Sequence, residues 1–179
     1  LGLSLGLSVL STLICLIIAF PMAMILANSK YGKQGFLIFV FILPMWMNFL
    51  LRTMAWQVLL ERNGVINALL TTFGLPRQEL MNTPGAVVLG MVYDFLPFMI
   101  LPIYNAVVKI DKHLVEAARD LGAGKLKVYT KVVLPLTVPG IVSGITMVFI
   151  PALTTFAISN MLGGGKINLI GNIIEQEFT

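Results

Sequence analysis

Apolar residues are gathered into four long blocks, from about Leu1 to Ala27, Phe36 to Leu60, Gly85 to Val108 and Leu136 to Ser159, and polar residues concentrate between them. A helix needs about 20 mostly apolar residues to cross the hydrocarbon core of a bilayer, and each block is at least that long. Strand-like alternation is absent, and a lipid-exposed strand outside a closed barrel leaves its backbone unpaired. Each block is therefore predicted to be a spanning helix. The fold class that follows is all-α, a polytopic transmembrane helix bundle occupying residues 1–179 as one domain.

Several features inside the blocks argue for a bundle with a function rather than a simple anchor. Pro21, Pro44, Pro97, Pro102, Pro139 and Pro151 each remove a backbone donor and kink or break a helix, which bundles tolerate where neighbours or cavities satisfy the freed groups. Gly2, Gly6, Gly140, Ser143 and Gly144 are small enough for close helix packing. Between blocks two and three, Ile66, Leu69, Leu70 and Phe73 recur at helical spacing after an Asn63-Gly64 turn, with Pro76 and Pro84 framing the exit. This predicts a short amphipathic helix, either lying at the outer surface or packed as a lid over the bundle.

Composition strengthens the membrane reading. Hydrophobic residues make up 58% of the chain and charged residues 11%, against about 25% charged in an ordinary soluble domain. The net charge of +4 would point to nucleic acid in a soluble protein. Here the basic residues lie between apolar blocks and report topology instead, so no nucleic-acid partner is expected. Lys30 and Lys33 lie in the first loop, and Lys109, Lys112, Arg119, Lys125, Lys127 and Lys131 in the third. Two spans separate these loops, so both lie on one side, the cytoplasmic side by the positive-inside rule. Cys15 is the only cysteine and sits in an apolar block, where it reads as packing. The chain begins at Leu1 with no Met and no basic n-region, and its first block is too long for a signal-peptide core, so a longer parent chain is expected.

The third loop, about 109–135, carries the most information. From about Lys112 to Leu121 it reads as a short helix with Leu114, Ala117, Ala118 and Leu121 on one face, stopped at Gly122, and a second helix leads back through Leu134-Pro135. Small apolar residues flanked by charges suit a helix that plugs into a partner's groove; a solvated turn is the plainer alternative. The spacing Glu116-Ala117-Ala118, three residues, Gly122, nine residues, Val132, one residue, Leu134-Pro135 resembles the EAA signature of ABC-importer permeases, with Val132 where the family usually has Ile. The resemblance implies the MetI-like permease fold, and it implies that the loop is a coupling helix docking on a separate ATPase subunit through Glu116, Ala117, Ala118 and Gly122. It also implies an ATPase dimer that binds ATP and Mg, a second permease subunit, an outer solute-binding protein, and residence in the bacterial inner membrane. Tyr93, Leu96-Pro97-Phe98-Met99-Ile100-Leu101-Pro102 and Leu162-Gly163-Gly164 are similar to the spermidine/putrescine members of that family. This implies a polyamine cargo and a non-identical second permease. Such subunits have six spans, so one span is expected before Leu1 and one after Thr179.

No ATPase motif lies in this chain. Lys166 follows Gly163-Gly164-Gly165, but a phosphate-binding loop needs Gly where Asn160 stands and Ser or Thr where Ile167 stands. No cofactor or metal is expected: His113 is the single histidine, and no nucleophile–base pair is evident. Asp94 is the one carboxylate within a span. Intramembrane acids face a cavity or a partner, which leaves a structural pair with Arg52 and a pathway role drawing in cations both open. Trp46, near the middle of its block, and Trp56, near the outer interface, are candidates for cation–π contact or for packing and anchoring. Tyr93 beside Asp94 is a candidate for an aromatic wall or, more simply, for core packing, and Asn48 lines the pathway or bonds another helix. Glu175 and Glu177 are expected on the outer side. Within ABC importers a permease for another small solute is the serious alternative. Of two rival classes, an ion-driven secondary transporter predicts inverted repeats and more intramembrane charge, which are not found, and a non-transporting scaffold needs neither the prolines nor the EAA spacing.

Overall fold

The computed structural model describes residues 2–29, 36–155 and 157–164, with Leu37 described by its backbone alone. Among the described residues all regular structure is helical: α1 (Gly2–Asn28), α2 (Phe36–Ile42), a 3-10 turn (Leu43–Trp46), α3 (Phe49–Leu60), α4 (Val65–Thr72), α5 (Pro84–Val108), α6 (Lys112–Asp120), α7 (Lys125–Val128), a π turn (Tyr129–Val133), α8 (Leu134–Thr154) and α9 (Ala157–Gly163). Among the described residues three helices are long and apolar enough to cross a membrane: Gly2–Asn28, Pro84–Val108, and Lys125–Thr154, where α7, the π turn and α8 run on without a break.

The second apolar block departs from the single rod expected of it. Its helical pieces Ile38–Trp46 and Phe49–Thr72 meet at a bend of 92°. Pro44 withholds a backbone donor there. Asn48 then leaves the helical region (φ −56°, ψ 131°), and its side-chain oxygen accepts the Leu50 N–H at 2.8 Å, so α3 begins afresh with its own cap. The fourth block is also redrawn. Its helix starts earlier, at Lys125, and ends at Thr154, with α9 resuming at Ala157. At the start of α5, Pro84 takes the first helical position, and the Thr83 hydroxyl accepts the Ala86 N–H at 3.2 Å.

Helix α1 is built for lipid. Ser4, Ser8, Ser11, Cys15, Ala19 and Ala23 are all fully buried, whereas Leu3, Leu13, Ile17 and Ile25 are among its most exposed residues. The arrangement inverts that of a soluble helix, because lipid tails solvate large apolar side chains as well as a protein core does, and small residues let backbones approach. Gly2 and Gly6, expected from their size to pack closely, do not: a Cβ at either would meet nothing within 4 Å. The packing stripe is the serine–alanine series instead.

The chain divides into two compact units. The first gathers Leu1–Ile14, Leu43–Phe95 and Phe149–Thr179. Within it Gly90 of α5 sits against α9, since a Cβ there would lie 2.5 Å from Leu162 Cδ1 and 3.0 Å from Ile158 Cγ2. Asn67, 1% exposed on α4, donates to the carbonyls of Glu61 (3.2 Å) and Gln78 (2.9 Å) and accepts the Gln78 N–H (2.8 Å), fastening the return segment to the helix. Leu69 and Phe73 point outward, and Asn67 is the fully buried residue of α4, with Ile66 and Leu70 half-buried beside it. The second unit gathers Cys15–Ile42 and Leu96–Val148. Here Gly140 and Gly144 lie against α5: a Cβ on Gly140 would stand 2.6 Å from both the Pro102 carbonyl oxygen and Ala106 Cβ, and one on Gly144 would stand 2.7 Å from Met99 Sδ. Ser143 between them is exposed and bonds the Pro139 carbonyl at 3.0 Å.

Candidate functional site

Helix α6, in the second unit, is defined by its own sequence at both ends. Asp111 caps it by accepting the His113 N–H at 3.0 Å. At the far end Gly122 takes φ +78°, its N–H bonds the Arg119 carbonyl (2.8 Å), and the Ala123 N–H bonds the Ala118 carbonyl (3.1 Å). This is the Schellman arrangement, in which a left-handed residue just past the helix satisfies the last carbonyls. The four-residue step from Ala118 to Gly122 is therefore the geometry of a helix stop.

The sides of α6 differ. Val115 and Ala118 pack with Ala123, Val107 and Ile110 around the buried Met24, Val128 and Val133. Leu114 (51% exposed), Ala117 and Leu121 (89%) face away from that core, and Leu126 (79%) is exposed just beyond them. Ala118 thus seats the helix and does not share the outward face expected for it with Leu114, Ala117 and Leu121. Glu116 is 64% exposed, and one carboxylate oxygen lies 3.4 Å from His113 Nδ1. Phe20 meets Tyr129 edge-on at 6.4 Å, bracing α1 against the π turn.

In the first unit, Asp94 and Arg52 are 1% and 8% exposed, with Arg52 Nε 3.3 Å from Asp94 Oδ1. The Thr53 hydroxyl donates to Asp94 Oδ2 at 3.4 Å. Neither Arg52 Nε nor Asp94 Oδ1 makes an aligned hydrogen bond, so the attraction between them is Coulombic and undirected. Of the two readings left open for Asp94, the structure contains the ion pair. Tyr93, 39% exposed, meets Trp56 edge-on at 5.3 Å. Trp46 is 78% exposed, just before the break. Asn48 has its carboxamide oxygen engaged in capping. Sequence reasoning missed Asn67 and Thr53, because neither residue type signals burial without its partners. Among the described residues no group of three or more metal-ligating side chains occurs. Lys30, Lys33, Lys166, Glu175 and Glu177 lie outside the described residues.

Apolar helices long enough to cross a membrane, a further apolar block that is sharply bent, and a polar loop folded as a doubly capped helix with an outward apolar stripe fit a polytopic membrane protein. The family described as binding-protein-dependent transport system inner membrane component matches residues 3–177, and the chain belongs to that family, which carries the MetI-like permease fold in the inner membrane. It is 41% identical over 177 residues to the spermidine/putrescine transport system permease protein PotB of Escherichia coli (strain K12), covering 98% of this chain and 64% of that protein. The Haemophilus influenzae protein of the same name is 42% identical, with 98% and 62% covered. The inner membrane ABC transporter permease protein YdcU of Escherichia coli (strain K12) is 34% identical over 188 residues, with 97% and 60% covered. The chain thus spans a little under two thirds of the length of these relatives.

Proposed function

We propose that this chain is a permease subunit of an ATP-driven importer for polyamines such as spermidine or putrescine. The observation that carries the reading is similarity along 98% of the chain to proteins named as spermidine/putrescine permeases. In this reading a separate ATPase dimer binds ATP and Mg and performs hydrolysis, a second and non-identical permease completes the pathway, and an extracytoplasmic binding protein delivers the solute. The chain itself holds no cofactor.

Helix α6 is the coupling element, with the roles divided by geometry. Ala118 fixes the helix to its own unit, and Gly122 ends it. Ala117 allows close approach between the exposed Leu114 and Leu121, and Glu116 sets register at the rim. Rigid caps at both ends let a push on α6 reach α5 and α8 without being lost in fraying, which suits switching between outward- and inward-facing states.

Trp46, Tyr93, Asp94 and Asn48 are assigned to the solute pathway. The exposed rings of Trp46 and Tyr93 offer π faces for an ammonium group. Asp94 offers charge to a cation only after release from Arg52, and Asn48 shapes the break.

The test is ATPase activity of the reconstituted full complex with its binding protein, against polyamines, amino acids and oxyanions. Stimulation by polyamines alone is expected. Stimulation by another class retains the permease and removes the polyamine assignment, and failure to co-purify with an ATPase removes both.

A further inference from the structure

The inner side of α6 faces a cavity whose lining shares only Glu116 with the coupling role. Lys112, Val115, Glu116 and Arg119 follow the i, i+3, i+4, i+7 spacing of one helix stripe, and all four line a cavity of about 680 Å³ within the second unit. This stripe is distinct from the outward one of Leu114, Ala117 and Leu121. The floor is apolar and comes from helix ends: Met24 and Ala27 of α1, Val107 of α5, and Val128 and Val133 around the π turn.

The rim is cationic. Lys112, Arg119 and Lys125 are exposed there, and none is ion-paired among the described residues. Glu116 is the one carboxylate in the lining, and it lies beside His113. The cavity opens where α1 and α5, two of the candidate spans, come to an end at Asn28 and Val108. A ligand that fits brings an anion for the rim and hydrocarbon for the floor. A free phosphate would leave the floor wet, and a neutral lipid would leave three cations unmatched.

We propose that this cavity binds an anionic phospholipid, with the phosphodiester among Lys112, Arg119 and Lys125 and an acyl chain over the Val107–Val128 floor, and that the lipid braces α6 from its inner side. The inference rests on the cavity and the membrane setting and holds whatever solute is carried.

The experiment uses the full-length complex in nanodiscs of dioleoylphosphatidylcholine with and without dioleoylphosphatidylglycerol, read by native mass spectrometry of retained lipid and by hydrogen exchange of α6. Wild type is expected to retain phosphatidylglycerol over phosphatidylcholine and to exchange the Leu114–Leu121 amides more slowly in its presence. The Lys112→Gln/Arg119→Gln/Lys125→Gln variant should lose about five-fold in retention for each cation removed, and Lys127→Gln, outside the cavity lining, should match wild type. The proposal is overturned by equal retention in the triple variant, by displacement of the lipid with glycerol 3-phosphate, by α6 exchange that ignores the lipid, or by a complex whose ATPase subunits cover the three cations and exclude lipid.

Discussion

Replacing Arg52 by Met leaves Asp94 as a carboxylate 1% exposed, held only by a 3.4 Å bond from the Thr53 hydroxyl. At the observed 3.3 Å and an effective dielectric of about 20, the pair contributes ~5 kcal/mol of Coulomb attraction. Desolvation of each ion opposes this with several kcal/mol, so the intact pair adds little net stability. Removing one partner keeps one desolvation cost and discards the attraction, at about 3–5 kcal/mol. The absence of an aligned hydrogen bond at Nε and Oδ1 favours the lower end, about 3 kcal/mol. The Arg52→Met/Asp94→Leu double variant should recover to within about 1 kcal/mol of wild type, giving a large coupling energy in the double-mutant cycle. Denaturant unfolding of the detergent-solubilised complex, followed by helicity, measures each corner. Single variants within about 0.5 kcal/mol of wild type would refute the reasoning that either ion alone is left uncompensated between α3 and α5. The stable double variant also tests the pathway assignment: unchanged polyamine uptake in that background removes Asp94 from the pathway.

Three further outcomes are expected. Gly140→Ala should cost about 2 kcal/mol, because its Cβ meets the rigid Pro102 carbonyl, and Gly144→Ala about 1 kcal/mol, because the first obstacle is the movable end of Met99; thermal melting in detergent compares them. Gly122→Ala should cost about 1 kcal/mol from its positive φ alone, since no atom lies within 4 Å of the added Cβ, and Glu116→Lys should leave insertion intact; both should reduce co-purification with the ATPase. Asn67→Leu should destabilise by about 1–2 kcal/mol and open the segment after α4 to proteolysis, because it removes the hydrogen bonds that tie the exposed Gln78 backbone to the helix.

What could be read from the chain follows from range of interaction. The apolar blocks and the stop at Gly122 depend on local solvation and local backbone preference, and both are plain in the sequence. The break after Trp46 was hinted at by Pro44, yet the bend required Asn48 to cap a new helix, and Asn in an apolar block reads equally as a pathway residue. The packing stripe of α1 was misplaced because glycine draws attention where serine and alanine do the packing. Membrane helices weaken the usual cue, since lipid accepts large apolar side chains on the outside. Arg52 and Asp94 were legible as a candidate pair from their depths, but 41 positions of sequence separate Thr53 from Asp94, and its contribution is visible only once α3 and α5 are side by side.

The cap at Asn48 gives α3 the mechanics of a lever with its fulcrum at one end. The helix is 12 residues long, about 18 Å of arm, and Arg52 grips α5 only about 6 Å from the pivot. A ten-degree swing about Asn48 would shift Arg52 by about 1 Å and the Leu60 end by about 3 Å. The ion pair therefore works at a mechanical disadvantage. The long end of the arm is held as well, since Leu60 is 3% exposed and α3 packs on α9, so a swing wide enough to open the clasp must also part α3 from α9.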